Sequence, residues 1–287
     1  MRLLVTADLH FNHPRSHDGA VDLIRRMNQE QADVLLLVGD TSIGDGFELE
    51  RCLVLFEFAG PKLILPGNHE MWTKGVADSW TLHEEILPRR VEALGWQWLP
   101  KAPFVRDDVA IVGSIGWYDY AFAVESLHIP RAFYEAKASP GAVLYTGHPE
   151  HLVDLAGLLP DPAPRLVARW NDRKFVKLPF SDEEFVSREC ERLRTHLEAV
   201  RSARSVVAAV HTVPMPQLLP ERHSEQWDFA RAYLGSPKLG ETITAFDNVS
   251  HILCGHSHWP IRTTVGRIEA INIGSGYREK RYLVLDI

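Results

Sequence analysis

"ILCGHSHWP", residues 252–260, closes a short apolar run on a glycine and then sets two histidines on either side of one serine. A single histidine beside an apolar run is ordinarily a satisfied structural residue. The reading changes when the other apolar runs are placed beside this one. "RLLVTA" (2–7) leads into Asp8 and His10, "DVLLLVG" (33–39) into Asp40, "KLILPG" (62–67) into Asn68 and His69, and "SVVAAV" (205–210) into His211. Short runs rich in β-branched residues read as buried strands. Five such strands therefore each end in a side chain able to ligate a metal.

Between the runs lie helical patterns. Val21, Ile24 and Met27 recur at helical spacing, and "FELERCLVLFEF" (47–58) is apolar enough to predict a packed helix. Ser181 and Glu184 form a capping-box pattern ahead of Val186, Cys190, Leu193, Leu197 and Val200, spaced by fours and threes. Together with "VAIVGSIG" (109–116), strands alternating with helices predict an α/β layered fold in one domain over residues 1–287. Near the end, "IRTTVGRIEAINIG" predicts a hairpin turning at Val265-Gly266, and "RYLVLDI" a closing strand. The middle differs in texture, because seven of the 18 prolines fall between Pro130 and Pro179. Residues 118–180 are accordingly predicted to form an irregular excursion from the scaffold.

Composition narrows the function. Lys and Arg number 31 against 38 Asp and Glu, a formal charge of −7, which argues against nucleic acid as a routine partner. Cys52, Cys190 and Cys254 are odd in number and share no CxxC spacing, so neither a disulfide framework nor a zinc ribbon is indicated. A reducing, cytoplasmic setting is the expectation. The opening "MRLLVTADLH" reaches a carboxylate too soon for a signal-peptide core, and no apolar run approaches membrane-spanning length, so no membrane association is expected.

In layered α/β folds the carboxyl ends of neighbouring strands share one edge, where ligands bind, so residues distant in sequence can converge there. Residues two apart in extended chain point the same way, which suits Asp8 with His10 and His256 with His258. Carboxylate oxygen, amide oxygen and imidazole nitrogen together suit divalent Mn, Fe, Co or Zn. Asp8, His10, Asp40, Asn68, His211, His256 and His258 are too many ligands for one ion. With one carboxylate shared, they fit two ions about 3.5–4 Å apart.

"DLH" at 8–10, "GD" at 39–40, "GNHE" at 67–70, the isolated His211 and "GHSH" at 255–258, in that order, resemble the calcineurin-like metallophosphoesterase superfamily. The resemblance runs from Asp8 to His258. It implies a four-layer α/β/β/α sandwich of two mixed β-sheets flanked by helices. It also implies one ion held by Asp8, His10, Asp40 and His258, and a second by Asp40, Asn68, His211 and His256, with Mn or Fe ahead of Zn or Co. His69 would not be a ligand but would face the substrate and assist departure of the leaving group. The activity implied is hydrolysis of a small phosphate ester, mono- or diester. Two divalent ions supply the positive charge an anionic ester needs and make hydroxide available at neutral pH.

Two positions depart from the family pattern. Ile43 stands where an Asp or Asn is common, so local support must come from Thr41, Ser42 or Asp45, and "GNHE" replaces the more usual "GNHD". The motifs of protein Ser/Thr phosphatases and the ligand tyrosine of purple acid phosphatases are missing after Asp40. In the excursion, Arg169, Trp170, Asn171 and Arg173 offer a grip on an anionic or aromatic leaving group, beside the plainer reading of a charged loop anchored by one tryptophan. Trp117, Tyr118 and Tyr120 read as a packed strand end. The remaining histidines, among them His13, His17, His83, His196 and His223, read as surface or packing residues. A nuclease of the same family and a non-catalytic metal-bearing scaffold are the competing functions.

Overall fold

The computed structural model describes residues 1–75, 77–221 and 224–287. Its strands are β1 (Arg2–Thr6), β2 (Val34–Val38), β3 (Lys62–Leu65), β4 (Trp96–Trp98), β5 (Phe104–Arg106), β6 (Val109–Ser114), β7 (Ser205–Val210), β8 (Val249–Cys254), β9 (Ile261–Val265), β10 (Ile268–Asn272) and β11 (Tyr282–Asp286). They form two sheets, in the orders β11-β1-β2-β3-β4 and β5-β6-β7-β8-β10-β9. Both are mixed. β1 to β4 run parallel with β11 antiparallel at one edge, while β6, β7, β8 and β10 run parallel between the antiparallel β5 and β9.

The apolar runs lack polar alternation because both faces of each sheet are covered. Leu3, Val5, Leu36 and Leu63 of the first sheet meet Ile111, Val207, Leu253 and Ile271 of the second in a core between the sheets. On the outer face of the first sheet, Leu4, Leu35 and Ile64 pack with Leu23, Ile24 and Met27 of the helix His17–Met27. On the outer face of the second, Val206, Ala208 and Ile252 pack with Phe185, Leu193 and Leu197 of the helix Asp182–Ala199 and with Leu239 and Ile243 of Pro237–Thr244. Helix, sheet, sheet and helix thus stack as the family resemblance implies, and the closing strand and the hairpin, with Ile268 opposite Val265, form where expected. Among the described residues no helix is long and apolar enough to cross a membrane.

Several local expectations are corrected. The helix predicted over 47–58 is confined to Glu48–Leu53, and Phe47 and Val54 on either side of it are exposed. The chain must turn there to deliver β3, and Pro61 forbids helical backbone just before it. The Ser181 hydroxyl accepts from the Glu184 N–H at 3.1 Å, but Glu184 turns its carboxylate to Arg188 rather than closing the box. Residues 118–180 alternate loops with short local elements. They fold as short helices, including Arg131–Glu135, Pro140–Thr146, Glu150–Gly157 and Asp172–Phe175, around a small core of Phe133, Val143, Leu152 and Ala156. The prolines open these helices: Pro130 and Pro149 stand at N-caps and Pro140 in a first turn, where no backbone N–H is needed.

Candidate metal centre

The adjacent strands β1, β2 and β3 of one sheet and β7 and β8 of the other end at a common rim. Backbone bonds stitch that rim together, with the Asp8 N–H donating to the Gly39 carbonyl, that of His10 to Asp40, and that of Gly255 to His211. Asp8, His10, Asp40, Asn68, His211 and His256 are all buried, and His258 stands at the edge.

Extended alternation does not bring the paired residues together. Asp8, His10, Asp40, His256 and His258 all have positive φ, of 53°, 43°, 50°, 68° and 60°. The strands have already ended, and each of these five residues turns through left-handed backbone. Asp and His tolerate that region better than most residues, and non-glycine backbone strain of this kind concentrates at functional sites. Two glycines are required by close approach. A Cβ on Gly67 would lie 2.1 Å from Asp40 Oδ1 and 2.6 Å from His211 Nε2, and one on Gly255 would lie 2.4 Å from Asp8 Oδ2.

Donor atoms of Asp8, His10, Asp40 and His258 lie within 4.8 Å of one another, as do those of Asp40, His211 and His256. Asp40 belongs to both groups. Its Oδ2 lies 3.7 Å from His10 Nε2 and its Oδ1 lies 3.4 Å from His211 Nε2. His10 and His258 approach through Nε2 at 2.9 Å, His258 Nε2 lies 3.6 Å from Asp8 Oδ1, and His211 Nε2 lies 3.2 Å from His256 Nδ1. Ligands about 2.1 Å from a shared ion are separated by about 3.0–3.4 Å along the edges of an octahedron or tetrahedron, and the spacings here, from 2.9 to 3.7 Å, bracket that range.

Outer contacts select the ligating atoms. His211 Nδ1 donates to the Val38 carbonyl at 3.0 Å, which turns Nε2 toward Asp40 as the nitrogen that could ligate once its proton is released. His256 Nε2 bonds to the Tyr233 carbonyl at 3.1 Å, which frees Nδ1. Asn68 donates through Nδ2 to Asp172 at 3.0 Å, and its buried Oδ1 has no hydrogen-bond partner among the described residues. An amide oxygen left so is costly unless something else meets it. A cation fits that role, and the donor set of carboxylates, imidazoles and one amide suits the borderline divalent metals.

The electrostatics agree. Burial pushes the Asp8 carboxyl up to about 7, with Asp40 adding repulsion and His211 opposing. Burial also resists ionisation of Asp40, yet His211, His69 and His10 overcome it and hold that carboxyl well below its usual range. Burial lowers His211 as well, but Asp40 and Asp8 outweigh it and raise the ring to about 9. Burial lowers His256 to about 3, with His211 adding repulsion and Asp40 opposing, and burial lowers His258 to about 4 against the pull of Asp40, so both rings are neutral.

His69 lies over this group rather than within either donor set. Its backbone N–H donates to Asp40 Oδ1 at 2.9 Å, its ring stacks on Trp72 at 3.8 Å, and its Nε2 stands 3.9 Å from Asp40 Oδ2. Burial lowers its pKa, against the pull of Asp40 and Asp172. The ring lines a cleft of about 500 Å³ that also exposes Asp40, Asn68, His256 and His258. Arg169, Trp170 and Asn171 of the excursion line the same cleft, whereas Arg173 is exposed and does not. Trp117, Tyr118 and Tyr120 are buried packing residues. His83 and His196 are buried as well, and His223 lies outside the described residues.

Four neighbours escaped the sequence reading. Glu70 accepts the N–H groups of Asp40, Ser42 and Gly67 at 2.9, 2.8 and 2.7 Å, and so supplies the support expected from the side chains of Thr41, Ser42 or Asp45. Burial, then Asp40, raise its carboxyl to about 8 against the pull of those donors. Tyr277 stacks on His10 at 4.6 Å, and Lys280 donates to the Asp8 carbonyl at 2.7 Å. Asp172 is the fourth. "GNHE" placed Glu70 next to the site, but nothing local marked the other three.

A sandwich of two mixed sheets whose strand ends gather two donor groups around one carboxylate defines a metallophosphoesterase. Residues 1–260 match the calcineurin-like phosphoesterase family, and the chain belongs to it. That family comprises metal-dependent phosphoester hydrolases. Among solved structures, a phosphopantetheinyl hydrolase from Mycobacterium tuberculosis is similar at a TM-score of 0.70 and 19% identity, over 96% of this chain and 89% of that one. A dimetal phosphatase from Danio rerio is similar at 0.51 and 14%, over 97% and 88%. At those identities the likeness is one of fold. No curated protein matches the chain.

Proposed function

We propose that this protein hydrolyses a small phosphate ester, mono- or diester, with two divalent ions, Mn or Fe ahead of Zn or Co. The observation that carries the reading is a pair of donor groups sharing Asp40 at the floor of an open cleft. Asp8, His10, Asp40 and His258 would hold one ion, and Asp40, Asn68, His211 and His256 the other. When bound, the ions supply positive charge to the phosphoryl oxygens and a nucleophile at neutral pH.

The chain's own groups do the rest. His69, braced against Trp72, faces the cleft where the leaving group would sit. Burial depresses its pKa, so as a general acid it would depend on the negative charge of the bound ester to hold the proton it passes to the departing alkoxide. Arg169, Trp170 and Asn171 supply one cation, one aromatic face and one amide for the remainder of the substrate. Among the described residues lining the cleft, Arg169 is the one Lys or Arg, which favours a small ester over a nucleic-acid strand. Because the excursion contributes these residues, the reading treats residues 1–287 as one working unit.

The test is hydrolysis of a chromogenic phosphomonoester and diester by protein loaded with Mn, alongside single-stranded DNA. Turnover of a small ester that chelator abolishes and Mn restores is expected. Two bound ions with no turnover of any ester would favour a scaffold, and cleavage of DNA alone would favour a nuclease.

A further inference from the structure

The excursion sends one carboxylate into the wall of the site. Asp172, on the short helix Asp172–Phe175, is 1% exposed and takes no part in either donor group. Its Oδ1 accepts from Asn68 Nδ2 at 3.0 Å and from Trp72 Nε1 at 2.7 Å, and its Oδ2 accepts from Tyr118 OH at 2.9 Å and Trp170 Nε1 at 2.7 Å. The two indoles can only donate, and with Asn68 Nδ2 and the Tyr118 hydroxyl donating as well, an ionised carboxylate satisfies all four. Burying it without them would be prohibitive. The same segment is pinned to the loop after β3, with the Thr73 N–H donating to the Phe175 carbonyl at 2.8 Å and that of Ser79 to Lys177 at 2.9 Å.

The bond to Asn68 has a directional consequence. A side-chain amide can present either end, and it binds a cation only through oxygen. By taking Nδ2, Asp172 fixes which way Asn68 faces and leaves the buried Oδ1, which has no hydrogen-bond partner among the described residues, as the end able to meet a cation. The bond to Trp72 acts on a second group, because that indole is the platform on which His69 stacks, with Phe175 behind it at 4.8 Å. One buried carboxylate thus orients both a donor and the leaving-group histidine.

We infer that Asp172 is a positioning residue, through which the excursion sets the metal-binding face of Asn68 and the seat of His69. The inference rests on the two-ion reading above. Asp172→Asn keeps the shape, but it turns an N–H₂ toward one pair of donors and removes the charge that draws the other. Loss of an outer partner of a ligand typically weakens metal binding or activity by about 10–100-fold.

The test is calorimetric titration of the folded full-length chain with Mn²⁺, wild type against Asp172→Asn, with kcat and KM on a chromogenic ester. The wild type should take up two ions. The variant should bind one of them about 10–100-fold more weakly, hold the other within about threefold, and lose kcat more than KM. Unchanged affinity for both ions overturns the inference while the two-ion reading stands. Equal loss of both with a lowered melting temperature also overturns it, since that is what a purely structural residue would give. A wild type that binds fewer than two ions removes the reading and the inference together. Should Asp172→Asn not fold, hydrogen exchange on the wild type decides. Mn²⁺ should slow exchange at Phe175 and Val176 on the excursion as well as in the ligand loops, and unaltered exchange there contradicts the coupling.

Discussion

Replacing Glu70 tests how the rim is built. Its two oxygens receive three backbone N–H groups: Asp40 and Gly67 on Oε2, Ser42 on Oε1. These tie the end of β2 to the end of β3 and hold Asp40 in its left-handed backbone, with φ of 50°. In Glu70→Gln the amide oxygen can keep the pair on one side, but its N–H₂ then faces the Ser42 N–H. One hydrogen bond is lost and one buried donor is left without a partner, a cost of about 1–3 kcal/mol. Glu70→Ala removes all three bonds and leaves a void, at about 4 kcal/mol or more. At roughly 2–4 °C per kcal/mol, Glu70→Gln should be visible in a melt of the metal-free protein. Urea unfolding should show a lower midpoint with an unchanged slope. Because Asp40 lies in both donor groups, Glu70→Gln should also weaken Mn binding at both, by about tenfold. A variant with wild-type midpoint and wild-type affinity would refute the argument that Glu70 sets the position of Asp40.

Three further outcomes follow from the site. His69→Ala should keep both ions while kcat falls roughly 10²–10⁴-fold, whereas Asp40→Ala should lose both ions; metal analysis beside kinetics separates the two, and equal metal loss would contradict the division of roles. Asp8, raised to about 7, and His211, raised to about 9, must both be deprotonated to ligate, so apparent Mn affinity should climb from pH 6 to pH 9 and binding should release protons. Calorimetry in buffers of different ionisation enthalpy would count those protons, and pH-independent affinity would speak against the assignment. Gly67→Ala would set a methyl carbon 2.1 Å from Asp40 Oδ1, and it should abolish metal binding while leaving the sheets, read by circular dichroism, intact.

The donor residues were legible because each stands just past an apolar run, and the parallel order of β1, β2, β3, β7 and β8 sends those run ends to one rim. The layered α/β character was legible because runs without polar alternation must be covered on both faces, while the two-sheet sandwich came from the family resemblance. The backbone that aims the donors was not. Alternation in extended chain does not describe the pairs Asp8/His10 and His256/His258, because all four residues take left-handed backbone. Asp172, Tyr277 and Lys280 were invisible because their roles come from tertiary docking, where the excursion and the segment after β10 fold back onto the rim. Over residues 118–180 proline count alone could not locate the short helices, because Pro130, Pro140 and Pro149 mark where helices begin rather than where they cannot form.

The most direct measurement is a crystal structure of the Mn-loaded protein with anomalous scattering collected at the metal edge. Two peaks about 3.5–4 Å apart, with Asp40 reaching both and Asn68 Oδ1 on one, are the result expected here. A lone peak, or peaks remote from Asp40, would contradict it.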